Sequence, residues 1–265
     1  MLLLIDAGNT RIKWALVAPG DQPGQWLSSG SLSHADYERP SAAQAANAAK
    51  DADPLATVVA AAGSQPTQAL ISNVAGDALS ARLTASLEAL GVPAASIRRF
   101  RAQAECAGVR NGYAQPEKLG SDRFASLIGA RYRFPGERLL VVTCGTATTI
   151  DALEADGRFI GGMIAPGLGT MAESLAVNTA LLPSVAAATR ERVFADNTRD
   201  AIISGCLSAQ VGAIAQAMEQ RQDPAARCVL SGGAAPYILP HLPFACDAVD
   251  NLVLLGLHAS VAGAS

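Results

Sequence analysis

The sequence predicts an α/β fold made of two similar halves, and two observations support this fold class. First, the apolar run at residues 2–5 leads into Asp6-Ala7-Gly8-Asn9-Thr10, and a second apolar run leads into Thr143-Cys144-Gly145-Thr146-Ala147. Second, the order strand, turn, strand, turn, strand begins at each of these runs. A chain of 265 residues has room for two domains of about 130 residues. We therefore expect an N-terminal domain at residues 1–119 and a C-terminal domain at residues 120–265.

The first half is expected to contain three short strands followed by alternating helices and strands. The strands are predicted at residues 2–6, 11–17 and 25–32, which form an antiparallel meander. Next we expect a helix around residues 37–50, strands at 56–62 and 69–74, and an amphipathic helix near 77–90. Residues 102–119 are polar and without a clear period, which favours a loop over a cleft. A helix is then predicted from the Gly120 motif to about residue 133.

The second half repeats the opening order of elements. Strands are predicted at residues 139–142, 148–153 and 159–164, with a hairpin signal at Asp156-Gly157 between the last two. Helices are expected at residues 167–180 and 198–220, a strand at 228–231 before Gly232-Gly233, and a closing helix at 251–262. Strands alternating with helices indicate layered α/β halves.

Composition excludes several classes of function. Half of the residues are hydrophobic and 16% are charged, which is typical of a compact globular protein. A net charge of −3 gives no general attraction to nucleic acid. No apolar run reaches the roughly 18 residues that a membrane span needs, so we expect a cytoplasmic protein that binds neither nucleic acid nor membrane. The five cysteines contain no C-x-x-C pair, which fits reduced thiols rather than structural zinc.

The first Gly turn has the residue types of a phosphate-binding site. Backbone N–H groups at Gly8-Asn9-Thr10 suit phosphate oxygens, Asp6 suits Mg²⁺ or its water ligands, and Lys13 can reach phosphate as a point charge. An ordinary β-turn, with Asp6 bonded to backbone and Lys13 in solvent, explains this motif equally well when it is taken alone.

The second Gly turn favours the functional interpretation. Thr146, Thr148 and Thr149 place hydroxyl groups around Gly145, although only one of Thr148 and Thr149 can face the cleft if both lie in a strand. Two phosphate turns in duplicated domains match the actin-like, ribonuclease H-like ATPase architecture of the sugar kinases, in which nucleotide binds between the halves.

A kinase of this type also needs a group that activates the acceptor hydroxyl, and Asp122 is the candidate. It lies at a predicted helix start in Gly120-Ser121-Asp122-Arg123, where a carboxylate can act as general base and the adjacent arginine can bind an anion. From these four residues alone, an ordinary helix-capping aspartate beside a surface arginine remains the more economical interpretation.

Six motifs, taken in order, are similar to those of a known family, the type III pantothenate kinases, whose members include Bvg accessory factors. The resemblance covers nearly the whole chain. Its motifs are Asp6 to Thr10, Gly120 to Arg123, Gly145 to Asp151, Gly161 to Gly167 with Met171 and Leu175, Asn197 to Ile202 with Gly205, and Leu230 to Gly233.

The resemblance implies ATP-dependent phosphorylation of the primary hydroxyl of pantothenate to 4′-phosphopantothenate, the first step of coenzyme A biosynthesis. It also implies that Asp122 accepts the proton, that Asp6 binds Mg²⁺ or another divalent ion through water or phosphate, and that the protein is a homodimer. The ATP-binding positions that it implies are Asp6, Ala7, Gly8, Asn9, Thr10, Arg11, Ile12, Lys13 and Thr146. The pantothenate-binding positions are Tyr113, Gly120, Ser121, Asp122, Arg123 and Thr198.

One position departs from the family pattern. The family usually has an acidic residue where this chain has Thr143, and that carboxylate is associated with an activating K⁺ or NH₄⁺ ion. A neutral hydroxyl is a weaker ligand for a hard cation, so we predict reduced or absent K⁺ dependence. Two alternatives stay open: a non-catalytic ATP-binding regulatory homologue, and a kinase of the same superfamily that acts on a sugar or acetate.

Overall fold

A computed structural model describes residues 1–38, 55, 59, 63, 65–179, 182–189 and 192–262. The chain forms two compact units, each discontinuous in sequence. The first contains Met1–Ala107, Gln115–Tyr132 and Val253–Ser265, and the second contains Gly108–Ala114 and Arg133–Leu252. These units are defined by compactness, and the predicted division of the duplicated halves at residues 119 and 120 stays a prediction.

The strands of the described residues are β1 (Leu2–Ala7), β2 (Arg11–Val17), β3 (Ser28–Ser33), β4 (Gln68–Asn73), β5 (Ile97–Arg99), β6 (Glu105–Cys106), β7 (Val109–Asn111), β8 (Leu139–Cys144), β9 (Ala147–Leu153), β10 (Arg158–Pro166), β11 (Arg227–Ser231) and β12 (Cys246–Ala248). The α-helices are α1 (His34–Glu38), α2 (Asp77–Ala89), α3 (Ser121–Arg133), α4 (Leu168–Asn178), α5 (Thr198–Gln220), α6 (Ala235–Ile238) and α7 (Leu252–Ala262), and short 3₁₀ turns lie at Ala94–Ser96, Pro116–Lys118 and Leu239–His241.

The first unit is built on a five-stranded sheet in the order β3-β2-β1-β4-β5. The first three strands are antiparallel to their chain neighbours, which confirms the predicted meander, and β4 runs parallel to β1. Alternation along β1 divides its side chains, because successive residues of a strand point to opposite faces. Leu3, Ile5 and Ala7 are buried in one hydrophobic cluster, which leaves Asp6 on the opposite face.

The second unit repeats this arrangement. Its strands follow the order β12-β11-β8-β9-β10-β7, with β8 antiparallel to β9, β9 antiparallel to β10, and β11 parallel to β8. Leu140, Val142 and Cys144 of β8 are buried in a cluster that also contains Ile202 and Leu207 of α5. The order β10-β9-β8-β11 therefore matches β3-β2-β1-β4, as the two halves of the sequence predict.

Several expectations are corrected by the structure. Residues 102–119 are not a continuous loop, because they contain β6, β7 and a 3₁₀ turn. Val59, which lies within the strand predicted at residues 56–62, is helical, and the rest of that segment lies outside the described residues. Of the helix predicted around residues 37–50, only Tyr37 and Glu38 are described, and both belong to α1. The third strand begins at Ser28 rather than Gln25.

Helix α5 is long and apolar enough to cross a membrane by length and composition. Its buried side chains, including Ile203, Cys206 and Ile214, belong to the core of the second unit. A core helix passes the same test of length and apolarity, so this helix is weak evidence for a membrane span.

Candidate active site

The first Gly turn joins β1 to β2. The Gly8 N–H donates to the Arg11 carbonyl at 3.1 Å, which closes the hairpin, and Asn9 and Thr10 are exposed at its tip. Arg11 donates from Nη2 to the Ser31 hydroxyl at 2.7 Å. This turn presents backbone and short polar groups to solvent, as a phosphate site requires.

Two of the predicted ATP-binding residues can contribute only through their backbone. Ala7 and Ile12 are register partners across the hairpin, and both side chains are fully buried in the core. Their role at the turn is therefore to fix its position against the hydrophobic cluster beneath it.

Three polar residues form one row across the first sheet. Asp6 pairs with Lys13 of β2 on one side and with Ser72 of β4 on the other. Register partners on adjacent strands place their side chains on the same face of a sheet. Asp6 therefore has an ammonium group on one side and a hydroxyl group on the other, on the face opposite the hydrophobic cluster.

The Asp6 carboxyl has a raised affinity for protons. Its pKa rises to about 7, first because burial disfavours the ionised form and second because the charge of Asp122 repels it. Lys13 acts in the opposite direction and lowers the pKa. Asp6 and Asp122 therefore interact electrostatically within the first unit, and a bound cation or proton relieves their repulsion.

Asp122 lies in the first turn of α3, as predicted. Its Oδ1 accepts the Arg123 backbone N–H at 2.8 Å, a bond that favours the ionised form. Burial raises the pKa of Asp122, and the Arg123 backbone bond and the Arg123 charge partly oppose this shift. The carboxylate is thus held at a helix N-terminus while its basicity is increased by partial removal from water.

The position of the Asp122 carboxylate explains why residue 120 is a glycine. A Cβ at Gly120 would lie 2.6 Å from Asp122 Oδ1, well inside van der Waals contact. The glycine of the Gly120 motif therefore leaves room for the aspartate that follows it.

Sequence reasoning missed Ser72. Its hydroxyl lies 2.8 Å from the Ser121 hydroxyl, and the residue has no exposed surface. The signal was present, since Ser72 ends the apolar run of β4, and a buried hydroxyl needs a hydrogen-bond partner. The sequence did not identify that partner, which lies 49 residues away.

The second Gly turn joins β8 to β9 and is one residue shorter than the first Gly turn. The Gly145 N–H donates to the Ala147 carbonyl at 3.0 Å. The Thr146 carbonyl accepts the Gly167 N–H and the Thr170 hydroxyl, each at 2.8 Å. Thr146 itself is exposed, and these bonds fix its backbone at the start of α4.

The row beside this turn consists of hydroxyl residues. Thr143 pairs with Thr149 of β9 and with Ser231 of β11, the positions that correspond to Lys13 and Ser72 in the first unit. Thr148 is buried on the opposite face, as the partner of Cys144. Of the two alternatives that the sequence left open, Thr149 is thus the one that shares a face with Thr143.

Gly232 has a structural reason to be glycine. Its φ is +100°, a conformation that residues with a Cβ rarely adopt. A Cβ there would also overlap the Cys144 carbonyl oxygen, which accepts the Ala234 N–H at 3.0 Å. The segment after β11 therefore packs directly on the second Gly turn.

Tyr113 and Thr198 belong to the second unit. The Tyr113 ring stacks on Phe159 with centroids 5.6 Å apart, and its backbone N–H donates to Asn111 Oδ1 at 3.1 Å. Thr198 is the exposed first residue of α5, after the N-cap Asn197. It lines an open groove of about 570 Å³ with Met171, Ser174, Leu175, Leu182, Ala201, Ile202, Gly205, Cys206 and Ala209.

The predicted site residues therefore divide between the units. Asp6 to Lys13 and Gly120 to Arg123 lie in the first, where the charges of Asp6 and Asp122 interact. Tyr113, Thr143, Thr146 and Thr198 lie in the second.

Comparison with known proteins gives one family. The family model described as type III pantothenate kinase matches residues 2–220. A type III pantothenate kinase of Janthinobacterium sp. (strain Marseille) is 50% identical over 268 residues, which cover 97% of this chain and 96% of that protein.

Solved structures show the fold at much lower sequence identity. A Sinorhizobium meliloti protein described as a 2-dehydro-3-deoxygalactonokinase has a TM-score of 0.57 at 16% identity, covering 100% of this chain and 99% of its own. The activator of the 2-hydroxyisocaproyl-CoA dehydratase from Clostridium difficile, with bound ADPNP, has a TM-score of 0.50 at 11% identity, covering 99% and 95%. The predicted actin-like, sugar-kinase-like ATPase fold is confirmed.

Proposed function

The chain belongs to the type III pantothenate kinases, and from this premise we propose that Asp122 is the general base when the chain phosphorylates pantothenate with ATP. The sequence resemblance to this family is confirmed, as is the assignment to a kinase of coenzyme A biosynthesis. The roles of individual residues are our proposal and are argued from the contacts of each unit.

The setting of Asp122 carries the proposal. A general base must be ionised, held in place and basic enough to accept the proton of the acceptor hydroxyl. The Arg123 N–H holds one carboxylate oxygen, and burial raises the pKa of the group above its usual range. Gly120 and Ser121 position the carboxylate, and Arg123 supplies a positive charge for the anionic end of pantothenate.

The first Gly turn is proposed to bind the ATP phosphates. Gly8, Asn9 and Thr10 offer backbone and side-chain donors, and Lys13 lies beside Asp6 in the sheet. The Asp6 carboxylate fits a divalent ion, because it is buried and repelled by the charge of Asp122, and a cation would balance both carboxylates. Mg²⁺ bound with ATP would neutralise charge on the phosphates during transfer.

The remaining assignments are proposed from the second unit. The fixed backbone of Thr146 supports a role in phosphate binding, and Tyr113 and Thr198 are proposed to contact pantothenate. We also propose a cytoplasmic homodimer. Beyond the resemblance, the dimer is supported by apolar surface on the second unit, where Ile164 and Val177 are 64% and 75% exposed.

The test is ATP-dependent phosphate transfer to pantothenate by the wild type and by Asp122→Asn. The amide keeps the shape of the carboxylate but cannot accept the proton, so kcat should fall by about 10²–10⁴-fold. Asp77→Asn is the matched control, since Asp77 is an exposed first-turn aspartate of α2 in the same unit. Full kcat in Asp122→Asn would refute the assignment of Asp122 as the base. A wild-type protein that phosphorylates a sugar instead of pantothenate, or that phosphorylates neither, would refute the assignment of pantothenate as the substrate.

A further inference from the structure

Two cysteines of the second unit face each other across parallel strands. Cys228 of β11 and Cys246 of β12 are register partners, and their sulfur atoms lie 2.8 Å apart as free thiols. Adjacent strands are about 4.8 Å apart, which is within the Cα separation of roughly 4.4–6.8 Å that a disulfide accepts. A bond between these sulfurs therefore requires rotation of side chains and no shift of the strands.

Neighbouring contacts hold this register. Arg227, next to Cys228, donates from Nη1 to Asp247 Oδ2 at 2.8 Å, and Asp247 is next to Cys246. Beyond the thiol pair, at the end of the strands, the Val249 N–H donates to the Leu230 carbonyl at 2.9 Å. The two strands are thus fixed on both sides of the thiol pair, which keeps the sulfurs opposite each other.

The two thiols differ in exposure. Cys246 is partly exposed, while Cys228 is 1% exposed and lies in the core cluster. The bond to Cys246 and burial both raise the pKa of Cys228, which keeps it a neutral thiol. A dissolved oxidant therefore meets Cys246 first, and Cys228 is placed to react second.

Cys144 interacts electrostatically with Cys228 and Cys246, but it is not in register with either of them. Leu140 of β8 is the register partner of Cys228, and Cys144 lies four residues beyond Leu140. At about 3.3 Å per residue this offset is roughly 13 Å. The register of the sheet therefore places Cys246, rather than Cys144, opposite Cys228.

We propose that Cys228 and Cys246 form a reversible disulfide when the protein meets a hydroperoxide. The Cys246 sulfur attacks a peroxide oxygen and forms a sulfenic acid, and with hydrogen peroxide the thiol proton leaves with the departing oxygen as water. The Cys228 sulfur then attacks the Cys246 sulfur, and its proton leaves with the hydroxyl as a second water. The two thiols together lose two electrons, and the peroxide gains these two electrons.

The bond has two consequences. It closes the short loop from residue 228 to residue 246, which restricts the unfolded chain and stabilises the folded one. It also captures the sulfenic acid before a second peroxide can convert it irreversibly to sulfinic acid. The site is thus a modification site that protects the second unit under oxidising conditions.

The test oxidises the full-length protein with hydrogen peroxide and identifies cross-linked peptides by mass spectrometry. We expect a peptide pair joining Cys228 to Cys246, its loss after reduction with dithiothreitol, and a melting temperature higher by about 5 °C in the oxidised form. Cys246→Ser should abolish the link and leave the melting temperature unchanged by peroxide. Cys106→Ser is the matched control, since Cys106 is also partly exposed, and it should keep both effects.

Three results would overturn the proposal. One is full retention of free thiols at Cys228 and Cys246 after peroxide treatment. Another is a link that joins either residue to a different cysteine. The third is conversion of Cys246 to sulfinic acid without a cross-link. These results report the covalent state of the cysteines and do not depend on kinase activity. They therefore test this proposal separately from the proposal that Asp122 is the general base.

Discussion

The Ser72 hydroxyl lies 2.8 Å from the Ser121 hydroxyl, and this hydrogen bond joins strand β4 to the start of helix α3. Ser72 is the register partner of Asp6, and Ser121 immediately precedes Asp122. The bond therefore connects the strand row that contains Asp6 to the helix turn that contains Asp122, the two carboxylates to which we propose functional roles. We treat Ser72 as a positioning residue, since its contact to the base passes through Ser121.

Replacement of Ser72 by alanine should lower kcat about tenfold and leave the KM for ATP nearly unchanged. The reason is that Ser121 loses a buried partner, a loss of about 1–3 kcal/mol that allows the first turn of α3 to shift. Steady-state kinetics measures the effect, and Ser72→Thr, which keeps the hydroxyl, should recover most of kcat.

Ser126 provides the control for this prediction. It is a buried serine of the same helix, and its hydroxyl has no hydrogen-bond partner among the described residues. Ser126→Ala should leave kcat unchanged, because no bond is lost. Equal losses of kcat in Ser72→Ala and Ser126→Ala would show that α3 is merely sensitive to substitution.

Replacement of Gly120 by alanine should damage activity more than stability. The new Cβ would lie 2.6 Å from Asp122 Oδ1. A carboxylate at the end of a side chain can rotate away, so the fold survives while the base leaves its position. We expect kcat to fall at least tenfold, since a misplaced base loses much of its typical 10²–10⁴-fold contribution, with little change in melting temperature.

Gly212→Ala is the matched control for Gly120→Ala. Gly212 lies within α5, and a Cβ there meets nothing within 4 Å. This variant should keep full kcat and melt slightly higher, because alanine favours a helix over glycine by about 1 kcal/mol. A Gly120→Ala enzyme with wild-type kcat would contradict the proposed fit between the glycine and the base.

Replacement of Asp6 by asparagine should stabilise the ligand-free protein at high pH while abolishing kinase activity. The folded-state pKa of Asp6 is about 7, against an ordinary value of 3.8 for an aspartate in water. A carboxyl whose pKa is raised by folding binds protons more tightly when folded, so its contribution to stability is lost as the pH rises between these two values. Asparagine cannot ionise and escapes this loss.

The measurement is the free energy of unfolding of both proteins from pH 4 to pH 9. The advantage of Asp6→Asn should grow between about pH 4 and pH 7 and stay constant above, reaching on the order of 4 kcal/mol. Asp77→Asn, an exposed change in the same unit, should show no such trend. A constant difference between wild type and Asp6→Asn across this range would contradict the raised pKa.

The local features of the fold were predictable from the sequence because they depend on neighbouring residues. The hairpin turns at Gly8 and Gly145 follow from glycine between apolar strands, and the start of α5 follows from Asn197, whose side chain accepts the Asp200 N–H at 3.0 Å. The base candidate Asp122 was found in the same way, as an aspartate at a helix start.

Features that depend on distant residues could not be predicted from one sequence. The Ser72–Ser121 bond requires knowledge of which strand lies beside which helix, and periodicity carries no such information. The short strands β6 and β7 were missed because so few residues show no alternation. The return of residues 253–262 to the first unit likewise depends on packing, for example where Gly256 lies against the Ala125 carbonyl.

Thr143 should make K⁺ a weak activator of this kinase. It occupies the row position of Asp6 in the second unit, with Thr149 and Ser231 as its register partners, so the strand row offers neutral oxygens to a cation. Thr143→Asp adds a carboxylate, which is a stronger ligand for a hard cation, and should increase K⁺ activation. Titration of kinase activity with KCl at constant ionic strength measures the change. Thr143→Ala is the control and should respond to K⁺ as the wild type does, whereas strong activation of the wild type that Thr143→Ala abolishes would show that the hydroxyl already binds the ion.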